Sequence, residues 1–293
     1  MKIIITGGHG QLGSDVSTLL GKEHNVIPVG SKELDISNKA AVESIILTER
    51  PNVLINCAAY TAVDNCETEK ELAFEVNAKG PENLAIAMES IAGRFIHVST
   101  DYVFDGNKAA TENYIESDST GPLSEYGQSK LAGEEAISSH SSNHLILRTA
   151  WLYGRNGNNF LKTMLRLAMA DPKRELKVVN DQYGSLTWTA TLALQIENVL
   201  SDTLQGIAHA TAEGSSTWYE GACYFLNAMK VPYNLSPCSS SEYPTPAHRP
   251  SNSILENKRL KQAGLSVFNT WQEDIDHFVK LYKEELSKEA TQH

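Results

Sequence analysis

Tyr126 and Lys130 stand four residues apart in Tyr126-Gly127-Gln128-Ser129-Lys130. On a helix this spacing places both side chains on one face, one turn apart. A free phenol titrates at roughly 10, too high for ready proton exchange near neutrality. An ammonium one turn away favours the phenolate and lowers that value. The pair therefore reads as a proton donor to a carbonyl that receives hydride, or as a base for the reverse step; by itself it would be an ordinary exposed helical pair. A second group indicates what would carry the hydride. Gly7-Gly8-His9-Gly10-Gln11-Leu12-Gly13 satisfies GxxGxxG through Gly7, Gly10 and Gly13, and GxGxxG through Gly8, Gly10 and Gly13. Such glycines make a tight turn, let backbone reach a pyrophosphate and pack helix on strand. The helix N-terminus then faces the phosphates. A glycine turn without a ligand is the alternative, but the strand before it and the helix after it are the context a dinucleotide requires. Thr100 closes the apolar run Phe95–Ser99. Its hydroxyl is placed to bond a substrate oxygen beside Tyr126, or else to cap its own turn.

These residues need a scaffold, and the first half of the chain supplies one. Apolar runs at Lys2–Thr6, Val26–Val29, Val53–Cys57, Phe95–Ser99 and Leu145–Thr149 read as strands. Between them, Gln11–Leu20, Lys39–Thr48, Glu71–Ala92 and Tyr126–Ser138 read as helices. Alternation of this kind predicts an α/β fold, a Rossmann-like doubly wound parallel sheet with ligands at the carboxyl ends of its strands. After Trp151 the pattern changes. Asn159–Ala170 and Trp271–Leu286 read as helices, and Leu176–Val179 and Ile207–Ala210 as short strands. Ser236–Pro250, with four prolines, reads as loop, and the tail from Ser287 as frayed. The expected division is a dinucleotide-binding domain over 1–150 plus about 176–210, with a smaller interleaved substrate domain over about 151–175 plus 211–293.

The 293 residues are enough for two domains with a full core. Apolar residues make up 41% and charged residues 21%, which excludes disorder and fibrous repeats. No apolar run is long enough for a membrane span, and the start of the chain enters a strand with no leader pattern. The formal net charge of −11 argues against nucleic-acid and anionic-membrane partners. Cys57, Cys66, Cys223 and Cys238 match neither a zinc pattern nor a disulfide framework, so they are expected to be reduced thiols of a cytoplasmic protein. No metal site is called for. At the end of the second strand, Val29-Gly30-Ser31-Lys32 carries no acid for a ribose, and Lys32 suits a 2′-phosphate, so the cofactor leans to NADP(H) over NAD(H).

Thr100, Tyr126, Lys130 and the glycine turn resemble the extended short-chain dehydrogenase/reductase superfamily. Further segments resemble the dTDP-4-dehydrorhamnose reductases within it: Asn56–Asp64, Ser99–Gly106, Arg148–Gly154, Asn158–Phe160, Asp181–Gly184 and Arg249–Ser253. The resemblance runs from residue 1 to about Leu286. It implies hydride transfer from NADPH or NADH to C4 of dTDP-4-dehydro-L-rhamnose, a dTDP-4-keto-6-deoxy sugar, for cell-surface polysaccharide synthesis. Tyr126 would protonate the developing alkoxide, Lys130 support it and Thr100 orient the ketone. Gly7, Gly10, Gln11, Leu12, Gly13, Asp35, Ile36, Ala58, Ala59 and Tyr60 would line the cofactor groove, with His9 near the pyrophosphate. Asp101, Trp151 and Asn159 would meet the substrate. Arg249 is the candidate clamp for its diphosphate, since a guanidinium matches phosphate bidentately; Arg155 and Lys162 are weaker candidates.

Related dehydratases carry two acids after the threonine. Here Asp101 is followed by Tyr102, which favours simple reduction. One departure from the family is Gly184-Ser185-Leu186-Thr187, where Gly-x-Pro-Thr is usual; it removes a rigid φ. Many relatives are homodimers and some bind a divalent ion. Two other readings are reduction of another dTDP-4-keto-deoxysugar, such as a dihydrostreptose precursor, and a non-catalytic NADP-binding regulatory subunit. The regulatory role would have no need of Thr100, Tyr126 and Lys130.

Overall fold

Ile3, Ile4 and Ile5 are all fully buried, yet they serve two different cores. Successive side chains of a strand point to opposite faces, so a run that is apolar throughout must be covered on both sides. The computed structural model describes residues 1–110 and 112–292. Its elements are β1 (Lys2–Thr6), α1 (Gln11–Leu20), β2 (Asn25–Val29), α2 (Lys39–Glu49), β3 (Val53–Asn56), α3 (Val63–Cys66), α4 (Lys70–Phe74), α5 (Gly80–Ser90), β4 (Arg94–Thr100), α6 (Glu125–His140), β5 (His144–Thr149) and β6 (Leu152–Tyr153). Then come α7 (Phe160–Ala170), β7 (Leu176–Val179), β8 (Tyr183–Gly184), β9 (Thr187–Trp188), α8 (Thr189–Val199), β10 (Gly206–His209), β11 (Ser216–Thr217), α9 (Trp218–Met229), β12 (Leu235–Cys238), α10 (Lys258–Gln262) and α11 (Trp271–Thr291).

Six strands form one parallel sheet in the order β10-β5-β4-β3-β1-β2. Ile3, Ile5, Ile55, Ile96 and Leu147 face α1 and α8; Ile4, Leu54, Phe95 and Ile146 face α2, α5 and α6. The chain winds outward in both directions from β1, so the strand order reverses between β1 and β3, the switch point where ligands of such sheets bind. Pro28, which donates no ladder hydrogen bond, is tolerated because β2 is an edge strand. A second core lies outside the sheet, where Leu161, Leu165, Phe225, Leu226, Trp271 and Phe278 of α7, α9 and α11 pack together.

Several local expectations change. The helix expected over Glu71–Ala92 is interrupted by a π-helical turn at Glu75–Lys79 between α4 and α5. Of the 176–210 stretch expected with the sheet, β10 pairs with β5 and α8 packs on α1, whereas β7 pairs with β12 in a separate ribbon. That ribbon takes its second strand from the start of Ser236–Pro250, which was expected to be loop. Helices α8 and α9 were not anticipated. The expected fraying from Ser287 is replaced by helix as far as Thr291. Leu186, in the usual place of a proline, is buried in the second core with its Cδ1 against Gly221.

Arg148 of β5 and Glu134 of α6 form a buried ion pair; each side chain is 2% exposed. Nε and Nη2 of Arg148 donate to the carboxylate at 2.6 to 3.2 Å, and the Ser99 hydroxyl donates to it at 2.5 Å. Removing one partner of such a pair strands the other charge in a medium that cannot solvate it. Glu134→Gln should therefore lower the urea-unfolding free energy by about 3 kcal/mol, and the double variant Glu134→Gln/Arg148→Met should recover most of that loss.

Candidate active site

The glycine turn closes tightly against the loop after β3. Gly7 has φ +66°, and a Cβ there would lie 2.6 Å from the Ala58 amide nitrogen. A Cβ on Gly13 would lie 2.1 Å from the Gly7 carbonyl oxygen. Gly10 caps α1 with no side-chain hydrogen bond, and the first turn of α1 holds no acid, so its amides face an anion without competition. Gly7, Gly10, Asp35, Ile36, Ala58 and Ala59 line one 730 Å³ cavity along the switch point. Leu12 sends its side chain into the core, leaving only its backbone for a ligand. The Asp35 carboxylate accepts from the Ser37 amide and hydroxyl.

The candidate catalytic residues gather at the carboxyl end of β4. Thr100 ends β4 beside Tyr126 of α6, and its hydroxyl donates to Asp101 Oδ1 at 3.0 Å. Ser124 caps α6 by accepting from the Gly127 amide, which starts the helix one turn before Lys130. Tyr126 packs edge-on against Tyr102, with ring centroids 5.4 Å apart. Burial raises the Tyr126 phenol above its ordinary range and raises Asp101 to about 6. The sequence pointed to a lowered phenol beside an ammonium. Burial outweighs that effect here, because Lys130 is turned to β4: its Nζ donates to the Val98 carbonyl at 2.8 Å and lies 3.2 Å from His97 Nε2. Burial also pulls Lys130 down to about 8.

Other candidates are placed differently from expectation. Arg249 forks Asp64 through Nη1 and Nη2 at 3.0 and 2.9 Å, so as a phosphate clamp it would first have to release a carboxylate. Asn159 caps α7 through the Lys162 amide, and its amide group donates to Gln11 Oε1 at 3.2 Å; its side chain is committed to structure. Lys162 bonds the Arg155 and Gly157 carbonyls and pairs with Glu289, and Arg155 pairs with Glu285. Trp151 has φ +48°. Trp218 stacks on one face of its indole at 3.6 Å, so only the remaining surface is free for a sugar. His9 is 3.8 Å from Glu33. Among the described residues, no group of three or more His, Cys, Asp or Glu side chains is placed to hold a metal ion.

The family described as RmlD substrate binding domain matches residues 1–284. The chain belongs to this family. A dTDP-4-dehydrorhamnose reductase from Aggregatibacter actinomycetemcomitans is 40% identical over 297 residues, covering 97% of this chain and 99% of that protein. Two solved structures are similar throughout. The dTDP-4-dehydrorhamnose reductase of Clostridium acetobutylicum has a TM-score of 0.93 and 41% identity, covering 97% of this chain and 100% of that one. That of Bacillus anthracis, in complex with NADP, has a TM-score of 0.92 and 37% identity, covering 95% and 98%.

In this member of the RmlD family, sequence reasoning missed two residues beside the candidate site. Glu33 lies one position past the segment searched for an acid, and its carboxylate returns to the end of β2, accepting from the Gly30 amide at 2.8 Å. Asn77, in the π-helical turn, accepts from the Tyr60 amide and donates to the Tyr60 carbonyl and to Ser129 Oγ. It thereby ties the cofactor-side loop to α6. Its only forewarning was an amide side chain inside a stretch rich in Ala and Leu. The geometry of Tyr126 predicts a titration. In cofactor-free protein, the wild-type minus Tyr126→Phe ultraviolet difference should show no phenolate absorbance up to pH of roughly 10, because burial opposes the charged form.

Proposed function

We propose that the protein catalyses NAD(P)H-dependent reduction of the C4 ketone of dTDP-4-dehydro-L-rhamnose to dTDP-L-rhamnose, a precursor of cell-surface polysaccharide. The observation that carries this reading is the neighbouring pair Thr100 and Tyr126 at the carboxyl end of β4, beside a glycine-walled groove at the switch point. The reactions named for the relatives and the NADP bound by the Bacillus anthracis enzyme support it.

The groove fits a dinucleotide. A Cβ on Gly10 would meet only the Gly7 carbonyl oxygen, at 3.2 Å, so the turn is open towards the cavity while Gly7 and Gly13 are closed by backbone. The amides at the start of α1 would hold the pyrophosphate, and residues 32–36 would meet the adenosine end. When bound, a reduced nicotinamide supplies the hydride. Thr100 and Tyr126 bind the ketone oxygen and orient it. Tyr126, kept protonated by burial, gives its proton to that oxygen as negative charge develops there. Lys130 lies one helical turn deeper, where a charged amine would support the phenolate left behind. The arrangement holds one buried acid, Asp101, beside Thr100 and a tyrosine at 102, which suits reduction without elimination of water. In this reading the enzyme is cytoplasmic, consistent with its four free cysteines, and works in two parts, the sheet holding the cofactor and the second core the sugar.

Tyr126→Phe should lower kcat for NADPH oxidation by dTDP-4-dehydro-L-rhamnose by roughly a thousandfold while leaving the NADPH dissociation constant within a factor of about three; a fully active variant would overturn the mechanism. Glu33→Gln keeps a bond to the Gly30 amide but removes a charge near the adenosine end. NADPH should then bind several-fold more tightly relative to NADH, by the repulsion relieved at a 2′-phosphate; titration with both cofactors checks it.

A further inference from the structure

A chain of buried hydrogen bonds runs from the loop after β3 to Lys130, and its polarity can be read from its first member. The Ala58 amide can only donate, and it meets Asn56 Oδ1 at 3.0 Å. The Thr6 hydroxyl meets the same oxygen at 2.6 Å. Flipping the Asn56 amide would set two donors against each other at Ala58, so the orientation is fixed. Asn56 Nδ2 must then donate to His97 Nδ1, 2.9 Å away. An Nδ1 that accepts carries no proton, so the neutral ring has its proton on Nε2. That proton points at Lys130 Nζ, 3.2 Å away. An ammonium has no lone pair to receive it. A neutral amine does, and can still donate to the Val98 carbonyl at 2.8 Å.

We infer that His97 is a positioning residue: locked as its Nε2–H tautomer, it disfavours protonation of the Lys130 amine in the cofactor-free protein and sets the pH at which Lys130 takes up the proton that releases it from β4. Once charged, Lys130 sets a donor against the His97 donor. That contact then favours a Lys130 that turns away from His97. The other groups facing Lys130 do not explain this state. Cys57, from the end of β3, is held by burial as a thiol up to about 12. Glu134, one turn along α6 and paired with Arg148, favours the charged amine and so cannot explain a neutral one. Tyr126, one turn back, is kept protonated by burial. Burial also holds His97 well below the usual imidazole range, so a cationic ring does not compete.

The inference rests on Lys130 as the partner of Tyr126, but its first test needs no substrate. In full-length, cofactor-free protein labelled with ¹⁵N-histidine, His97 should show the Nε2–H tautomer, with no second protonation between pH 6 and pH 8. An Nδ1–H tautomer or a cationic ring would overturn the proposal whatever the reaction. The second test is His97→Gln, whose side chain can turn its oxygen to an ammonium. The alkaline limb of the pH profile of kcat/KM for NADPH oxidation should move up by roughly one unit. A limb that stays in place or moves down would overturn the proposal. Should that variant fail to fold, the tautomer measurement still decides.

Discussion

Helix α6 docks on the sheet through buried polar contacts, and the catalytic geometry depends on that choice. Of its seven buried residues, only Ile137 is aliphatic. Lys130 bonds the Val98 carbonyl, Glu134 receives Ser99 and Arg148, and Ser129 receives Asn77. An apolar face would tolerate small slips along the sheet at little cost. Directional bonds to backbone and to charge do not. Glycines let the helix come this close: a Cβ on Gly127 would lie 2.3 Å from the Tyr102 carbonyl oxygen, and one on Gly133 would lie 2.2 Å from that of Asn77. Tyr126 and Lys130 are thus held to the end of β4 by the same face that presents them.

Burial at this docking face acts on the two residues in opposite senses. Both lose their charged forms, so the phenol rises and the amine falls. An acid that must donate at neutral pH is helped by the first effect. A lysine that must be charged to support the product phenolate is hindered by the second. The resting site therefore disfavours charge on either group: the phenol stays protonated, and Lys130 gives up its proton at a lower pH than a free lysine. The stored desolvation is tolerable because Arg148 and Glu134, deeper in the same interface, cancel one another rather than adding a net charge.

What was legible in the sequence follows from range. The glycine turn, the strand ends and the Tyr/Lys spacing are local patterns, each within a few residues, and the parallel sheet follows from the repetition of such patterns along the first half. The ion pair between Asp64 and Arg249 joins positions 185 residues apart, and no local pattern announces it; a free guanidinium was the natural reading. Asn159 was legible as a helix cap by type and position, and the cap is what consumed its side chain. Helices α8 and α9 went unseen because each carries β-branched or aromatic residues at its start, Thr189-Ala190-Thr191 and Trp218-Tyr219, whose propensity favours strand. In α8 the packing of Leu192, Ile196 and Val199 on the sheet overrides that preference. His97 offered no signal, since a histidine within an apolar strand reads as core until its neighbours across the sheet are known.

The departure at Leu186 shows how the second core compensates for a lost proline. A proline would have set φ in the turn before β9. Here β9 is held by its pairing with β6, Leu152 with Thr187 and Tyr153 with Trp188, while Leu186 is buried against Gly221, where any side chain would collide with it. Pairing and packing thus do what the ring would have done. The effect reaches the site because Gly184, two residues earlier, supports Trp151: a Cβ there would lie 2.3 Å from Cε2 of the indole. A second support is Trp218, which stacks on the indole at 3.6 Å and is itself backed edge-on by Phe160 at 4.7 Å. The indole beside the proposed sugar pocket is therefore held by the turn that lacks the proline and by a stack rooted in α7 and α9. Its left-handed backbone, unfavourable for a tryptophan, is sustained by this packing. Loosening either the turn or the stack would move the indole before it moved anything on α6.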